Sequence, residues 1–396
     1  MDPEKRVPNE KRVRKPSPAV AASHRRFLFL FIPLFVLFLI TGLLSKDRAF
    51  SAEENRSLAE KPELTISAVA DGTYFTNLTT YHSDQFVMRD TWMRWLFQAK
   101  RWMGQKEFGE VILGSDHYLM AKPTIPDSHT VSLTCKRIRD FCRQNDQLSV
   151  YMLLAPGASS VLTDKVPEGL PIRNQIADIR TVEDYLSSNL TVIDAVSALT
   201  EHKSEKIYYK TDHHWTCLGA YYAFQAAAST MDLPATENYN IYTVTNEFRG
   251  TQASQSGGHL ALDSIQVYEP LDVENHYAVF YPDSKERSSS VYVSSALEEK
   301  DKYTVFSGGN HALIQISTTN QNGRKLLILK DSYANCFLQF LTPYFEQIDV
   351  VDPRYYYENL GTLLRTDGIT DVLLLYSANT FLEDTTLGDV LNTALS

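Results

Sequence analysis

Residues 325–341 read KLLILKDSYANCFLQFL. The apolar run KLLILK (325–330) has the length and composition of a strand that is buried on both faces. A polar pair, Asp331 and Ser332, follows the run, and a helix is predicted to begin near Ala334. A buried strand that passes through a short turn into a helix is the building unit of α/β proteins.

Similar apolar runs, separated by helical patterns, recur along the chain. They are LSVYMLLA (148–155), LTVIDA (190–195), QIDVVD (347–352) and TDVLLLY (370–376). Such runs predict a largely parallel sheet that is flanked by helices. Between about residue 237 and residue 317, segments rich in Tyr, Thr, Ser and Gly instead predict antiparallel strands. We therefore expect an α/β domain over residues 126–396 with a β-rich insertion at about 237–317.

The N-terminus carries a membrane signal. Residues 27–44, FLFLFIPLFVLFLITGLL, are uncharged and apolar, and at about 1.5 Å per residue they nearly span a hydrocarbon core of about 30 Å. Residues 1–26 are rich in Lys, Arg and Pro and are predicted to be an unfolded basic tail. A cleaved signal peptide is the alternative, but no clear small-x-small cleavage site follows the run. The positive-inside rule puts the tail in the cytoplasm, so we expect a single-pass protein of the cell membrane with an extracytoplasmic C-terminal domain.

Residues 45–125 are predicted to form a helical stalk between the anchor and the domain, because DQFVMRDTWMRWLFQAKRWMG (84–104) has helical apolar spacing. The net charge is −10, and the tail carries eight basic and three acidic residues, so the remainder carries −15. An acidic ectodomain argues against nucleic acid as a partner. Four cysteines are too few for a disulfide scaffold and are predicted to be structural thiols, with a Cys217–Cys336 bridge as the alternative.

A second polar motif is YYKTDHHWT (208–216), which directly precedes the apolar helical pattern LGAYYAFQAAASTM. On a loop backbone, Asp212 can place its carboxylate against Nδ1–H of His214, which fixes the tautomer and supports an imidazolium during proton transfer. The alternative is a polar cap on the helix, with histidines that are merely packed or solvated.

Ser332 stands at the predicted strand-to-helix turn. A serine there projects its Oγ from the carboxyl edge of the sheet, where open α/β proteins place their sites, and the free amides of the helix start can hold an oxyanion. Helix capping by Asp331 and Ser332 is the alternative. A nucleophilic serine needs a base, and the base needs an orienting group. The chain order Asp212, His214, Ser332 is compatible with a triad, since triads occur in several orders.

The blocks TDHHWT (211–216) and KDSYAN (330–335) resemble the DHHW family of bacterial surface proteins, which is similar to the alginate O-acetyltransferase proteins and to the wider SGNH hydrolase-like group. Further similar segments are ENRSL (54–58), DQFVMRD (84–90), VILGSDHYL (111–119) and FSGGNH (306–311). The resemblance covers the chain from about Glu54 to Phe381. It implies a permuted SGNH hydrolase-like fold in which Ser332 is the nucleophile, His214 the base and Asp212 the orienting acid.

Two departures from the SGNH pattern leave the oxyanion donors open. Lys330 occupies the position of the glycine in a Gly-Asp-Ser block, and no clear Gly-x-Asn-Asp block is present. Asn379, just after TDVLLLY, stands where the family asparagine is expected, and Asn310 in SGGNH is the rival. Each asparagine can also be read as a turn residue.

Three neighbours of the predicted triad are candidate substrate-binding residues. His213 could face substrate, and Trp215 and Tyr333 could stack on a sugar ring, although aromatics beside a helix start are more often part of the core. A metal site formed by Asp212, His213 and His214 is the alternative for the histidine pair. No further pair of ligands with a recognised spacing supports it, so no metal and no organic cofactor is predicted.

The resemblance implies an extracytoplasmic serine enzyme that transfers an acetyl group, through an acyl-serine, to a hydroxyl of a cell-surface polysaccharide. It also implies a multi-pass membrane acyltransferase as the partner that supplies acetyl groups. One alternative is a carbohydrate esterase or deacetylase, which differs only in using water as the acceptor. The other is a non-catalytic glycan-binding scaffold protein.

The anchor generates a first prediction. If residues 27–44 span the membrane and are not cut, the protein stays in the membrane fraction after carbonate washing, and protease added to intact cells spares residues 1–26. Fractionation with an antibody against an N-terminal tag measures both. Release of a soluble protein that lacks the tag would contradict the anchor.

Overall fold

The computed structural model describes residues 18–51, 53–54 and 56–395. Residues 1–17, which include most of the predicted basic tail, lie outside the described residues. The chain divides into two compact units. The first comprises residues 18–51 and 56–91, and the second comprises residues 53–54 and 92–395.

The first unit begins with α1 (Pro18–Leu44), which contains Pro33. Its segment Ala22–Gly42 is long and apolar enough to cross a membrane, a property that a signal sequence shares. The remaining elements are β1 (Phe50–Ser51), β2 (Arg56–Ser57), α2 (Ile66–Ala70) and α3 (Thr73–Asp84). Strands β1 and β2 pair in antiparallel fashion. The guanidinium of Arg56 binds the buried carboxylate of Asp84 with N–O distances of 2.9 and 2.5 Å, which fastens β2 to the end of α3.

Helix α4 (Arg89–Trp102) leads into the second unit. The other helices are α5 (Ser128–Gln144), α6 (Ala158–Val161), α7 (Gln175–Leu186), α8 (Ala195–Glu201), α9 (Cys217–Thr230), α10 (Thr251–Ser256), α11 (Leu338–Leu341), α12 (Leu360–Asp367), α13 (Ala378–Phe381) and α14 (Thr386–Thr393). Single 3-10 turns are formed by Ser115–His117, Thr163–Lys165, Ser294–Glu298, Lys302–Val305 and Ser332–Ala334.

The strands of the second unit form three sheets. They are β3 (Glu107–Phe108), β4 (Val111–Leu113), β5 (Leu119–Ala121), β6 (Ser149–Ala155), β7 (Thr191–Val192), β8 (Tyr239–Phe248), β9 (Asp263–Pro270), β10 (Tyr277–Tyr281), β11 (Glu286–Ser288), β12 (Leu313–Thr318), β13 (Lys325–Lys330), β14 (Gln347–Val351) and β15 (Asp371–Ser377). Strands β3 to β5 form one antiparallel sheet and β8 and β9 form another, while the rest belong to a single large sheet.

The large sheet has eight strands in the order β11-β10-β12-β14-β13-β15-β6-β7. The five strands from β14 to β7 are parallel to one another, and β12, β10 and β11 extend the sheet with antiparallel pairing. Each of the five parallel strands corresponds to one of the predicted apolar runs. The prediction of an α/β fold with a largely parallel sheet is therefore confirmed.

The parallel strands are buried on both faces because their side chains alternate between two cores. In β13, Leu326 and Ile328 face the core that contains α9, whereas Leu327 and Leu329 face the core that contains α5 and α7. A continuous apolar run is therefore what this strand position requires.

Two predictions about organisation are corrected. The segment predicted to be a helical stalk (45–125) does not end in a helix but in the sheet of β3, β4 and β5. This sheet belongs to the second unit. The amide of Leu119 in β5 donates a 2.7 Å hydrogen bond to the carbonyl of Lys210 in the same unit. Because these strands are only two or three residues long, they show no alternation of apolar and polar residues from which they could be predicted. The predicted insertion (237–317) is rich in antiparallel strands, but part of it, β10 to β12, extends the large sheet. All four cysteines are free and buried.

Candidate active site

Ser332 lies at the carboxyl end of β13, in a turn that the preceding aspartate holds. Oδ1 of Asp331 accepts the amide of Tyr333 at 3.0 Å. Its Oδ2 accepts the amide of Ser377 at 3.0 Å and the hydroxyl of Ser377 at 2.7 Å, at the end of the neighbouring strand β15. Asp331 is thus fully engaged in joining two strand ends. Ser332 itself is half-buried, whereas Asp331 and Tyr333 on either side of it are buried.

The loop that carries Asp212 and His214 reaches this serine. Nε2 of His214 lies 2.8 Å from Oγ of Ser332, and Nδ1 of His214 lies 2.5 Å from Oδ1 of Asp212. Because the ionised carboxylate only accepts hydrogen bonds, Nδ1 carries the proton and Nε2 is free to accept the proton of the serine hydroxyl. The structure therefore brings the three predicted catalytic residues into one hydrogen-bonded chain.

Asp212 is buried, with 2% of its surface exposed, and its carboxylate accepts several hydrogen bonds. The amide of His214 donates to Oδ1 at 2.9 Å, and the amide of Thr251 donates to Oδ2 at 2.8 Å. Burial alone would raise the pKa of Asp212. The interactions with His213 and His214 and the hydrogen bond from the Thr251 amide outweigh burial and hold this pKa well below its usual value. The carboxylate is therefore charged when it orients the base.

Gly250 makes room for this carboxylate. A Cβ atom at Gly250 would lie 2.2 Å from Oδ2 of Asp212, closer than any real contact, so only glycine fits there. The next residue, Thr251, supplies the amide that binds Oδ2. Sequence reasoning missed both residues, because they lie almost forty positions from Asp212 and show no local signal.

Tyr303 is a further residue that sequence reasoning missed. Its ring stacks on the imidazole of His214, with centroids 3.9 Å apart and planes 12° apart. Its hydroxyl donates a 3.2 Å hydrogen bond to the carbonyl of Ser332. One side chain therefore contacts both the base and the residue that bears the nucleophile.

The predicted sugar-stacking role of Trp215 and Tyr333 is corrected. Trp215 is fully buried and Tyr333 is 3% exposed, so neither ring has a face open to a polymer. The indole N–H of Trp215 donates to the carbonyl of Tyr333 at 3.0 Å, and the hydroxyl of Tyr333 donates to the carbonyl of His213. Both aromatics fasten the histidine loop to the serine turn.

His213 lies beside the base and remains a candidate substrate-facing residue, since about a third of its side chain is exposed (32%). Burial of the ring, and then the neighbouring His214, lower the pKa of His213, so it is neutral at physiological pH. Its Nδ1 has no hydrogen-bond partner in the described structure.

Asp212, His213 and His214 also form a group whose potential ligand atoms lie within 4.8 Å of one another. Both carboxylate oxygens of Asp212, however, already accept the hydrogen bonds that orient the base. A metal ion would compete with those bonds, so the donor set fits a triad better than a metal centre. The metal-free site stays a prediction.

The two candidate oxyanion asparagines have different surroundings. Asn379 is tied to residues 122–124, because its Nδ2 donates to the carbonyl of Lys122 at 3.0 Å and its Oδ1 accepts the amide of Thr124 at 3.0 Å. Oδ1 of Asn379 also accepts Nε2 of Gln175 at 2.5 Å. Its carbonyl oxygen and one of its two Nδ2–H groups are thus engaged in structural contacts, and its role as an oxyanion donor stays a prediction.

Asn310 contacts residues on either side of Ser332. Its Oδ1 accepts Nζ of Lys330 at 2.8 Å and Nδ2 of Asn335 at 3.2 Å. Within the described residues, neither Nδ2 of Asn310 nor the amide of Ser332 has an acceptor. The amide of Ser332 and Nδ2 of Asn310 are therefore both free to donate a hydrogen bond to a ligand.

Comparison with protein families matches residues 140–351 to the family described as DHHW protein. The match covers more than half of the sequence, so the chain belongs to the DHHW family. A DHHW family protein from Eubacterium siraeum is 26% identical, with a TM-score of 0.63 over 72% of this chain and 95% of that chain.

Two further solved structures are similar to this chain. Bacillus cereus PatB1, in a structure with a sulfonyl adduct, is 18% identical, with a TM-score of 0.57 over 70% of this chain and 98% of that chain. The O-acetyltransferase domain of Pseudomonas putida AlgJ is 15% identical, with a TM-score of 0.42 over 72% of this chain and 99% of that chain. No curated protein matches the sequence.

The close approach at Gly250 generates a prediction. The added methyl group of Gly250→Ala should displace the Asp212 carboxylate, lower the free energy of unfolding by about 1–3 kcal/mol, and abolish the low-field proton NMR resonance expected for the short Asp212–His214 hydrogen bond. Gly157→Ala is the matched control, because its Cβ would meet Gln175 at an ordinary 3.6 Å. An unchanged resonance in Gly250→Ala would show that the carboxylate is not confined there.

Proposed function

We propose that this protein is an extracytoplasmic serine O-acyltransferase that passes an acetyl group to a hydroxyl of a cell-surface polysaccharide. The observation that carries the proposal is the chain Asp212–His214–Ser332, with contacts of 2.5 and 2.8 Å. The choice of an acetyl group and of a polysaccharide acceptor rests on the resemblance of the DHHW family to the alginate O-acetyltransferase proteins. The same resemblance supports a permuted SGNH hydrolase-like connection of the sheet.

In the first half-reaction, Oγ of Ser332 attacks the carbonyl carbon of the acetyl donor while Nε2 of His214 takes the hydroxyl proton. The charge on Asp212 stabilises the imidazolium that forms. The amide of Ser332 and Nδ2 of Asn310 donate to the oxyanion of the tetrahedral intermediate. Collapse of the intermediate breaks the bond to the leaving group, which takes the proton from His214, and leaves an acetyl ester on Ser332.

In the second half-reaction, a hydroxyl of the acceptor gives its proton to Nε2 of His214 and attacks the acetyl-serine. A second tetrahedral intermediate uses the same two oxyanion donors. It collapses by breaking the bond to Oγ of Ser332, which takes the proton back from Nε2 of His214, and this releases the acetylated acceptor and free Ser332. The protein's own residues supply every proton transfer, so the mechanism uses no metal and no organic cofactor.

A carbohydrate esterase or deacetylase is the alternative enzyme, because it shares the acyl-serine and differs only in the use of water as the acceptor. The hydrogen bond between His214 and Ser332 supports either enzyme over a non-catalytic glycan-binding scaffold, which has no need of an activated serine.

Location and partners belong to the same proposal. Helix α1, with the basic residues before it, acts as a single-pass anchor that leaves residues 1–26 in the cytoplasm and the C-terminal domain outside. Cytoplasmic acetyl donors do not reach that domain directly. A multi-pass membrane acyltransferase is therefore proposed as the partner that carries acetyl groups across the membrane.

The acyl-serine is the basis of the next prediction. A chromogenic acetyl ester should produce a burst of product and an acetyl adduct on the peptide that contains Ser332, as measured by stopped-flow absorbance and intact mass. Ser332→Ala should abolish the adduct and His214→Ala should slow acylation by at least about 10³-fold, because triad members act as a unit. Asp212→Asn should have a comparable or smaller effect, since the base remains in an uncontrolled tautomer.

His213→Ala is the matched control, because it removes an imidazole beside the base but outside the proposed triad. This variant should keep most of the acylation rate. Discharge of the acetyl-enzyme onto an added oligosaccharide identifies a transferase, whereas rapid discharge to water alone identifies an esterase. Acylation of Ser332→Ala at the parent rate, or activity that a chelator removes and zinc restores, would overturn the serine mechanism.

A further inference from the structure

Lys330 is a buried cation directly before the Asp331–Ser332 turn. Its side chain is fully buried, and a lysine in such a place is costly unless its protons have acceptors. Nζ donates to Oδ1 of Asn310 and Oδ1 of Asn335, both at 2.8 Å, and lies 3.4 Å from Oδ2 of Asp352. Three protons thus meet three oxygen atoms.

The nearby carboxylate of Asp352 is not enough to explain why a lysine is buried at position 330. Asp352 already binds the guanidinium of Arg354 through both of its oxygens, at 2.8 and 2.6 Å. The contact from Lys330 to Asp352 is the longest of its three. Burial lowers the pKa of Lys330 to about 8, so the side chain remains mainly protonated, and a donor, at neutral pH. The two short hydrogen bonds of Lys330 go to the side chains of Asn310 and Asn335 and not to a carboxylate.

The contact with Lys330 determines which way the Asn310 amide points. An ammonium group has no acceptor, so the atom of Asn310 that faces it is the oxygen and not the NH₂ group. Asn335 donates to the same oxygen. The NH₂ group of Asn310 is therefore directed away from both partners, and no acceptor binds it within the described part of the chain.

The backbone before Asn310 does not by itself hold the Asn310 side chain in this orientation. Ser307, Gly308 and Gly309 all have left-handed φ values, of 61°, 74° and 102°, and Asn310 is itself exposed. An exposed asparagine after two glycines would normally sample several rotamers. The hydrogen bonds from the side chains of Lys330 and Asn335 instead hold the Asn310 side chain in one rotamer.

We infer that Lys330 is a positioning residue, which locks the Asn310 amide so that its Nδ2–H groups serve as oxyanion donors for acylation of Ser332. The inference rests on the proposed acyl-serine chemistry. A cation behind the carbonyl oxygen also polarises the amide and makes its N–H groups stronger donors.

The test is a double-mutant cycle on the full-length protein, with the acylation rate constant for a chromogenic acetyl ester as the readout. Asn310→Ala should lower this constant by about 10²-fold, as loss of an oxyanion donor does. Lys330→Met should lower it by at least about 10-fold, with the substrate concentration for half-maximal rate little changed, because the defect lies in the transition state. The double variant should be no slower than Asn310→Ala alone, since Lys330 acts through Asn310.

Two further variants separate positioning from folding. Lys325→Met removes a lysine from the other end of β13 and should keep the parent rate constant. Asn310→Asp keeps an oxygen for Lys330 to bind at an exposed position, so it should fold even if Lys330→Met does not, yet it should acylate at least as slowly as Asn310→Ala.

Additive losses in the double variant, or parent-like acylation by Asn310→Asp, would overturn the positioning role while leaving the serine mechanism intact. Parent protein that forms no acetyl-Ser332 would overturn the proposed function and this inference together. The two failures are therefore distinguishable.

Discussion

The 2.8 Å hydrogen bond between Nε2 of His214 and Oγ of Ser332 joins residues that lie 118 positions apart in the chain. Much of the local structure serves to make that contact. The parallel sheet brings the serine to its carboxyl edge, and Asp331 fastens the turn to the end of β15. Trp215 and Tyr333 then bind the histidine loop to the same turn through hydrogen bonds to main-chain carbonyls. A shift of either loop would break the contact, because a hydrogen bond weakens steeply with distance and angle.

Two buried charged side chains, Asp212 and Lys330, lie in the site, and each has its own hydrogen-bond partners. Asp212 lies behind the base and accepts main-chain amides as well as the imidazole. Lys330, directly before the serine turn, donates to the side-chain oxygens of Asn310 and Asn335. Each charge has its hydrogen bonds satisfied before any substrate binds, so the dipoles need little rearrangement during the reaction. Such preorganisation is the main source of electrostatic stabilisation in enzyme sites.

The parallel strands and the residues Asp212, His214 and Ser332 could be predicted because their signals are local. A strand buried on both faces is a continuous apolar run, and an Asp-x-His pair or a serine after a strand occupies a few adjacent positions. Gly250 and Tyr303 could not be predicted, since only the folded chain brings them to Asp212 and His214. The role of Trp215 stayed open for another reason. An aromatic residue beside a helix start is more often part of the core but can also form a binding surface, and only its burial in the folded chain decides between them.

The serine chemistry can be tested by a crystal structure of the protein after treatment with a sulfonyl fluoride, a reagent that reacts with activated serine hydroxyls. A nucleophilic Ser332 should form a covalent bond from its Oγ to the sulfonyl sulfur. One sulfonyl oxygen should lie within hydrogen-bond distance of the Ser332 amide and Nδ2 of Asn310. An unmodified Ser332, or a sulfonyl group attached to another residue, would show that Ser332 is not the nucleophile.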